Sequence, residues 1–148
     1  MKRITLFGMP FIAAPNHGEV LNEICTWPLP PCSGEELPLV STPNVDQVVK
    51  LHRPSNHALF ERIRHARFIL PDGQPIVAVS KLTKTRKLPA RLAGSDLFPP
   101  LWERVCKRGA PVFMVLGSDA IATRLHRELP AMRHLVPPFY SVEDSSAE

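Results

Sequence analysis

Short apolar runs that are typical of buried strands alternate along this chain with segments of helical period. The clearest run is Val112–Leu116, and Ile4–Phe7, Leu39–Thr42 and Phe68–Leu70 are further strand candidates. One more strand could begin at Arg133–Val136. The segments between them place apolar residues three and four positions apart, as amphipathic helices do. Strands that alternate with helices favour a mainly parallel sheet with helices on both faces. The sequence therefore predicts an α/β fold.

Polar residues mark where the helices should begin. Asn44 and Ser118 precede helical patterns and are good N-caps, and Ser55 and Ser95 stand in the same position before two other helices. The helix that follows Ser95 should end at Gly109, because glycine commonly closes a helix.

The length of the chain suits one domain. Its 148 residues can bury a substantial core but are few for two domains. We predict a single domain over residues 1–140 and a polar tail over 141–148. The three cysteines are odd in number and form no Cys-x-x-Cys, which fits a reducing compartment. No run is long enough to span a bilayer and no signal peptide is convincing, so we expect a cytoplasmic protein.

The formal charge of +4 favours an anionic partner: a phosphate-bearing substrate, a nucleic acid or an acidic membrane face. The basic residues are spread through Lys50–Arg67 and cluster in Lys81–Lys87. A nucleic-acid binder would rest on charge alone, since the chain has no recognition-helix signature and no basic strand interleaved with aromatic residues. We therefore expect no nucleic-acid partner. The six histidines show neither His-x-x-x-His nor His-Glu-x-x-His spacing, so we predict no metal site and no cofactor.

Two residues are candidates for chemistry. The apolar run at Phe68–Leu70 stops on Pro71-Asp72-Gly73. This places the Asp72 carboxylate at the carboxyl end of a strand, where open α/β sheets bind ligands. Arg91 precedes a helix start and can bind an anion. The alternatives are a tight Asp-Gly turn and a solvated loop charge.

Four motifs in this order resemble the TagA/WecG/CpsF family of bacterial glycosyltransferases. The motifs are Thr42-Pro43-Asn44, Leu70-Pro71-Asp72-Gly73, Pro89-Ala90-Arg91-Leu92-Ala93-Gly94-Ser95-Asp96-Leu97 and Val112-Phe113-Met114-Val115-Leu116-Gly117. No single motif is specific, but their order and spacing are, and the resemblance extends from about Ile4 to Pro138. It implies a Rossmann-like α/β fold.

The resemblance also implies an activity. Members of the family transfer an N-acetylhexosamine, typically N-acetylmannosamine, from a UDP-sugar to a lipid-pyrophosphate-linked sugar in cell-surface polysaccharide synthesis. Transfer inverts the anomeric centre, and an aspartate is the proposed base. The implied partners are a UDP-sugar donor and a lipid-linked acceptor, which would put the protein at the inner face of the cytoplasmic membrane as a peripheral enzyme.

Individual residues acquire implied roles from the matching motifs. Asp72 would take the proton from the acceptor hydroxyl, and Arg91 would hold the donor diphosphate. The other implied substrate-binding residues are Thr42, Asn44, Gly117 and Ser118. A turn with an N-cap explains Asn44 equally well, and a plain glycine turn explains Gly117. The chain has no Asp-x-Asp motif, so a metal-clamped diphosphate is not supported.

The chain departs from the family pattern near its end. Relatives usually continue with a further strand, a Gly-x-Pro-Lys-Gln-Glu motif, more helix and a basic appendage that sits on the membrane. Against that pattern we expect a C-terminally incomplete domain that self-associates or pairs with a complementing polypeptide. The alternative function is a non-catalytic module that binds a nucleotide or a partner chain.

Overall fold

The computed structural model describes residues 1–26, 31, 34–83 and 87–138. The chain divides into two compact units, Met1–Leu101 and Trp102–Glu148, and the division falls inside a helix. The predicted polar tail, Cys32 and the middle of the basic cluster lie outside the described residues. A single domain over residues 1–140 stays a prediction.

The first unit contains two pairs of strands. Strands β1 (Arg3–Leu6) and β2 (Met9–Ile12) form an antiparallel hairpin, in which Arg3 lies opposite Ile12. Strands β3 (Leu37–Ser41) and β4 (Ala66–Ile69) pair in parallel, and their register shifts once between Leu37 and Val40. Because β3 and β4 run in parallel, their carboxyl ends lie at the same edge.

Helices follow the strands. They are α1 (His17–Ile24), α2 (Val45–Leu51), α3 (His57–Arg64), α4 (Gln74–Leu82) and α5 (Gly94–Arg108), with a 3-10 turn over Pro54–Asn56. Asn44 is the N-cap of α2, as its sequence position predicted. Helix α5 contains the division between the two units.

Two apolar clusters form the core of the first unit. One joins the hairpin to α2, β4 and α4 and includes Met9, Phe11, Val48, Ile69 and Ile76. The other joins α1 to the loops after β4 and includes Ile12, Val20, Leu70, Leu92 and Leu97. The second cluster buries Leu70 and Leu92, so the chain immediately before Asp72 and immediately after Arg91 is anchored in the core.

The second unit is a small α/β layer. Strands β5 (Phe113–Val115) and β6 (Arg133–Leu135) are parallel, and helix α6 (Asp119–Glu128) connects them. Its core contains Trp102, Leu116, Ala122, Leu129 and Met132. The Trp102 indole Nε1 donates a hydrogen bond to the Glu128 carboxylate at 2.6 Å.

The structure confirms the predicted mixed, Rossmann-like α/β class. The described strands pair as three two-stranded sheets, two parallel and one antiparallel. No helix in the described part of the chain is both long and apolar enough to cross a membrane.

Two of the predicted N-caps are wrong. Helix α5 begins at Gly94, one residue before Ser95, whose hydroxyl instead donates to the Asp96 carboxylate at 3.2 Å. Ser55 lies within the 3-10 turn that Pro54 begins, and α3 starts two residues later, at His57. Proline is favoured at the first position of such a turn, because the N–H group that proline lacks would have no hydrogen-bond acceptor there.

Candidate active site

Three loops of the first unit converge at the carboxyl ends of β3 and β4. The backbone N–H of Asp72 donates to the carbonyl of Pro43 at 3.3 Å, which ties the loop after β4 to the loop after β3. The N–H of Leu92 donates to the carbonyl of Pro71 at 2.8 Å, which brings in the loop before α5. These bonds fix the backbone beside both candidate residues, Asp72 and Arg91.

The Asp72 and Arg91 side chains face each other in this cluster. Arg91 Nε lies 3.6 Å from Asp72 Oδ1, and both side chains are partly exposed. The distance allows an ion pair but is too long for a strong hydrogen bond, and an exposed pair of this kind stabilises a fold by about 0–1 kcal/mol. Breaking this single contact therefore costs little free energy.

A second carboxylate shares the same guanidinium. Asp96, in the first turn of α5, places Oδ2 3.5 Å from Arg91 Nη1. Arg91 thus stands between Asp72 and Asp96, and the group of three carries a net negative charge. Sequence reasoning missed Asp96, although its position in the first turn of a helix is favourable for an acidic residue.

Gly94 makes the closest backbone approach in the cluster. A Cβ atom at this position would lie 2.8 Å from Thr42 Oγ1 and 3.3 Å from Thr42 Cγ2. Only glycine lets the start of α5 approach Thr42 this closely. The predicted residue Thr42 is therefore held against the loop that carries Arg91.

His17 is a further residue that sequence reasoning missed. It is the first residue of α1, which Asn16 caps by accepting from the N–H of Glu19. The half-buried ring places Nε2 3.1 Å from the carbonyl of Ala93. Because a carbonyl can only accept, Nε2 carries the proton of this hydrogen bond. His17 thus links α1 to the loop of Arg91 and Gly94, and no short motif marks this contact.

Asn44 is engaged in a capping box. Its Oδ1 accepts from the N–H of Gln47 at 3.0 Å, and the Gln47 side chain accepts from the N–H of Asn44 at 2.9 Å. These bonds are the ones expected if Asn44 serves as a turn residue and helix N-cap. A role in substrate binding stays a prediction, and Asn44 is adjacent to Pro43, which bonds to Asp72.

Gly117 and Ser118 belong to the second unit. Ser118 is the N-cap of α6, and its hydroxyl accepts from the N–H of Ile121 at 3.4 Å. A Cβ atom at Gly117 would have nothing within 4 Å, so the turn itself does not demand glycine. Asp119 adds a negative charge to the first turn of α6, where a phosphate would bind. Nucleotide binding by Gly117 and Ser118 stays a prediction.

Shifted pKa values occur away from the three loops. Burial raises the pKa of the Cys106 thiol, and the charge of Glu128 adds to the increase. The hydrogen bond from Lys107 lowers the pKa of Glu103. In the described part of the chain, no three His, Cys, Asp or Glu side chains converge as metal ligands do.

The family model for the glycosyl transferase WecG/TagA/CpsF family matches residues 4–145, which is nearly the whole chain. The chain belongs to this family. It is therefore a member of a glycosyltransferase family of cell-surface polysaccharide synthesis. WecG/TagA/CpsF glycosyltransferases in general use a nucleotide-sugar donor and a lipid-linked acceptor. The match includes all three loops of the cluster, so the predicted family membership is confirmed.

Proposed function

We propose that this protein transfers an N-acetylhexosamine, such as N-acetylmannosamine, from a UDP-sugar to a lipid-pyrophosphate-linked sugar. The observation that carries the proposal is the convergence of the Thr42–Asn44, Asp72 and Arg91–Gly94 segments at one edge of β3 and β4. It supplies a carboxylate and a guanidinium at the position where α/β sheets bind ligands.

The cluster offers one side chain for the acceptor and one for the donor. Asp72 accepts the proton of the acceptor hydroxyl while the hydroxyl oxygen forms its bond to the anomeric carbon. The bond from that carbon to the UDP oxygen breaks at the same time, and its electron pair leaves with UDP. Attack from the face opposite the leaving group inverts the anomeric centre. The transition state resembles an oxocarbenium ion, as in glycoside hydrolysis, so a nearby carboxylate also stabilises its charge.

Arg91 stabilises the charge that develops on the departing UDP. A guanidinium can bind two phosphate oxygens at once, and its contact with Asp72 is long enough to be exchanged for them. Thr42 and Asn44 line the acceptor side of the same pocket. Gly117 and Ser118 contribute to nucleotide binding. The enzyme acts as a peripheral protein at the inner face of the cytoplasmic membrane, where the lipid-linked acceptor lies.

The test is an assay of UDP release with a panel of UDP-N-acetylhexosamines and a panel of lipid-pyrophosphate-linked sugar acceptors. We expect UDP release that depends on the acceptor. Mass spectrometry should show a product that is heavier than the acceptor by one N-acetylhexosamine residue. UDP binding without any transfer would contradict the proposal and favour the non-catalytic module.

A further inference from the structure

A groove runs between strand β3 and the helices α2 and α3 of the first unit. Its volume is about 550 Å³, which lies within the roughly 300–1,000 Å³ that ligand pockets usually enclose. The residues that line it include Thr42 and Pro43, so the groove is continuous with the loop that bonds to Asp72. No group of the proposed reaction occupies the rest of the groove.

Most of the groove wall is apolar. Leu39, Val40 and Leu59 line it and are 40%, 38% and 51% exposed. Strand β3, which contributes Leu39 and Val40, pairs only with β4 among the described strands. Contiguous exposed apolar side chains are typical of ligand-binding grooves.

Of the described residues that line the groove, Lys50 alone is charged. Lys50 lines the groove, and its Nζ lies 2.7 Å from Asp46 Oδ2 in an exposed ion pair. Such a pair is worth only about 0–1 kcal/mol, so Lys50 can exchange its partner for a phosphate. Apolar walls with a cation beside them suit a ligand with a hydrocarbon chain and an anionic head.

We propose that this groove holds the first part of the hydrocarbon chain of the lipid-pyrophosphate-linked acceptor, with Lys50 beside the pyrophosphate. The assignment rests on the proposed function. It gives the acceptor a route from the membrane to Asp72, since Thr42 and Pro43 belong to both the groove and the site.

The experiment measures binding of farnesyl diphosphate by calorimetry to the full chain and to two matched variants. Leu59→Asn removes an apolar side chain from the groove wall. Val49→Asn makes the same kind of change at a somewhat more exposed residue of α2, 59% exposed, which is not part of the lining. Neither side chain is buried, so both variants should keep the wild-type thermal melt.

The proposal expects about tenfold weaker binding of farnesyl diphosphate to Leu59→Asn, from the lost apolar contact, and wild-type binding to Val49→Asn. Inorganic diphosphate should bind far more weakly than farnesyl diphosphate. Equal affinity of Leu59→Asn and wild type for farnesyl diphosphate would overturn the assignment. Equal affinities for farnesyl diphosphate and inorganic diphosphate would also overturn the assignment. So would light scattering that shows a dimer which Leu59→Asn dissociates and farnesyl diphosphate does not, because the groove would then bind a second copy of the chain.

The same samples are assayed for UDP binding and for acceptor-dependent UDP release. If only the groove assignment fails, wild type and Leu59→Asn release UDP with the same KM for the acceptor. If the proposed function fails, wild type itself releases no UDP. The two failures are therefore distinguishable.

Discussion

The substitution Gly94→Ala tests whether the close approach of α5 to Thr42 holds the site together. The added methyl group would lie 2.8 Å from Thr42 Oγ1, whereas unstrained contacts are about 3.5–4.0 Å. Threonine is β-branched and stiff, so it cannot rotate away freely. Overpacking of this kind lowers the free energy of unfolding by about 1–3 kcal/mol, and replacing a helical glycine by alanine raises it by at most about 1 kcal/mol. We expect a net loss of roughly 1–2 kcal/mol in the free energy of unfolding.

Urea unfolding of a double-mutant cycle provides the assay. Thr42→Ala removes both Oγ1 and Cγ2 and leaves only the Cβ atom, 3.4 Å from the new methyl group. In that background Gly94→Ala should therefore be close to neutral, which gives a coupling energy of about 1–2 kcal/mol. Gly117→Ala is the control, because its methyl group meets nothing within 4 Å. An equal cost of Gly94→Ala in both backgrounds would refute the reasoning.

Three further predictions concern single groups. Arg91→Ala should weaken UDP binding in calorimetry by roughly tenfold to a hundredfold, with Arg91→Lys intermediate, and equal affinities would remove Arg91 from the site. Because its pKa is raised, the Cys106 thiol should react with iodoacetamide at pH 8 more slowly than a free cysteine does. Glu128→Gln should lower the pKa of Cys106 and speed the reaction, and an unchanged rate would contradict the role of the Glu128 charge. Asn44→Ala should cost about 1 kcal/mol in urea unfolding through the lost cap, whereas no loss would mean that the cap does not stabilise α2.

The elements that can be predicted from the sequence are those that local patterns decide. The apolar runs became β3, β4 and β5, and the caps at Asn44 and Ser118 are present, because a cap depends only on residues three positions apart. The hairpin strand β2 was missed because Gly8 and Pro10 look like a break in the chain. Gly8 instead forms the turn, with a φ of 69°, and Phe7 adopts a φ of 52°, which a bulky residue rarely does.

In the candidate site too, some features can be predicted from local sequence and others cannot. Asp72 and Arg91 are recognisable as candidates from their sequence positions, because one follows a strand and the other precedes a helix. The contacts of His17 with Ala93 and of Gly94 with Thr42 join residues far apart in sequence. Such contacts depend on how the loops pack, and no local pattern encodes them. Asp96 was missed for a related reason, since its charge matters only once Arg91 lies beside it.

The most direct test of the central claim is the effect of Asp72→Asn on UDP release. The amide keeps the shape of the carboxylate but cannot accept the acceptor's proton, so turnover should be lost while UDP binding by calorimetry is retained. Asp96→Asn is the matched control, because it changes the other carboxylate beside Arg91 and leaves the base in place. The account predicts an inactive Asp72→Asn that binds UDP and an Asp96→Asn that still transfers. An Asp72→Asn variant that releases UDP within a few-fold of the wild-type rate would contradict it and leave Asp72 as a turn residue.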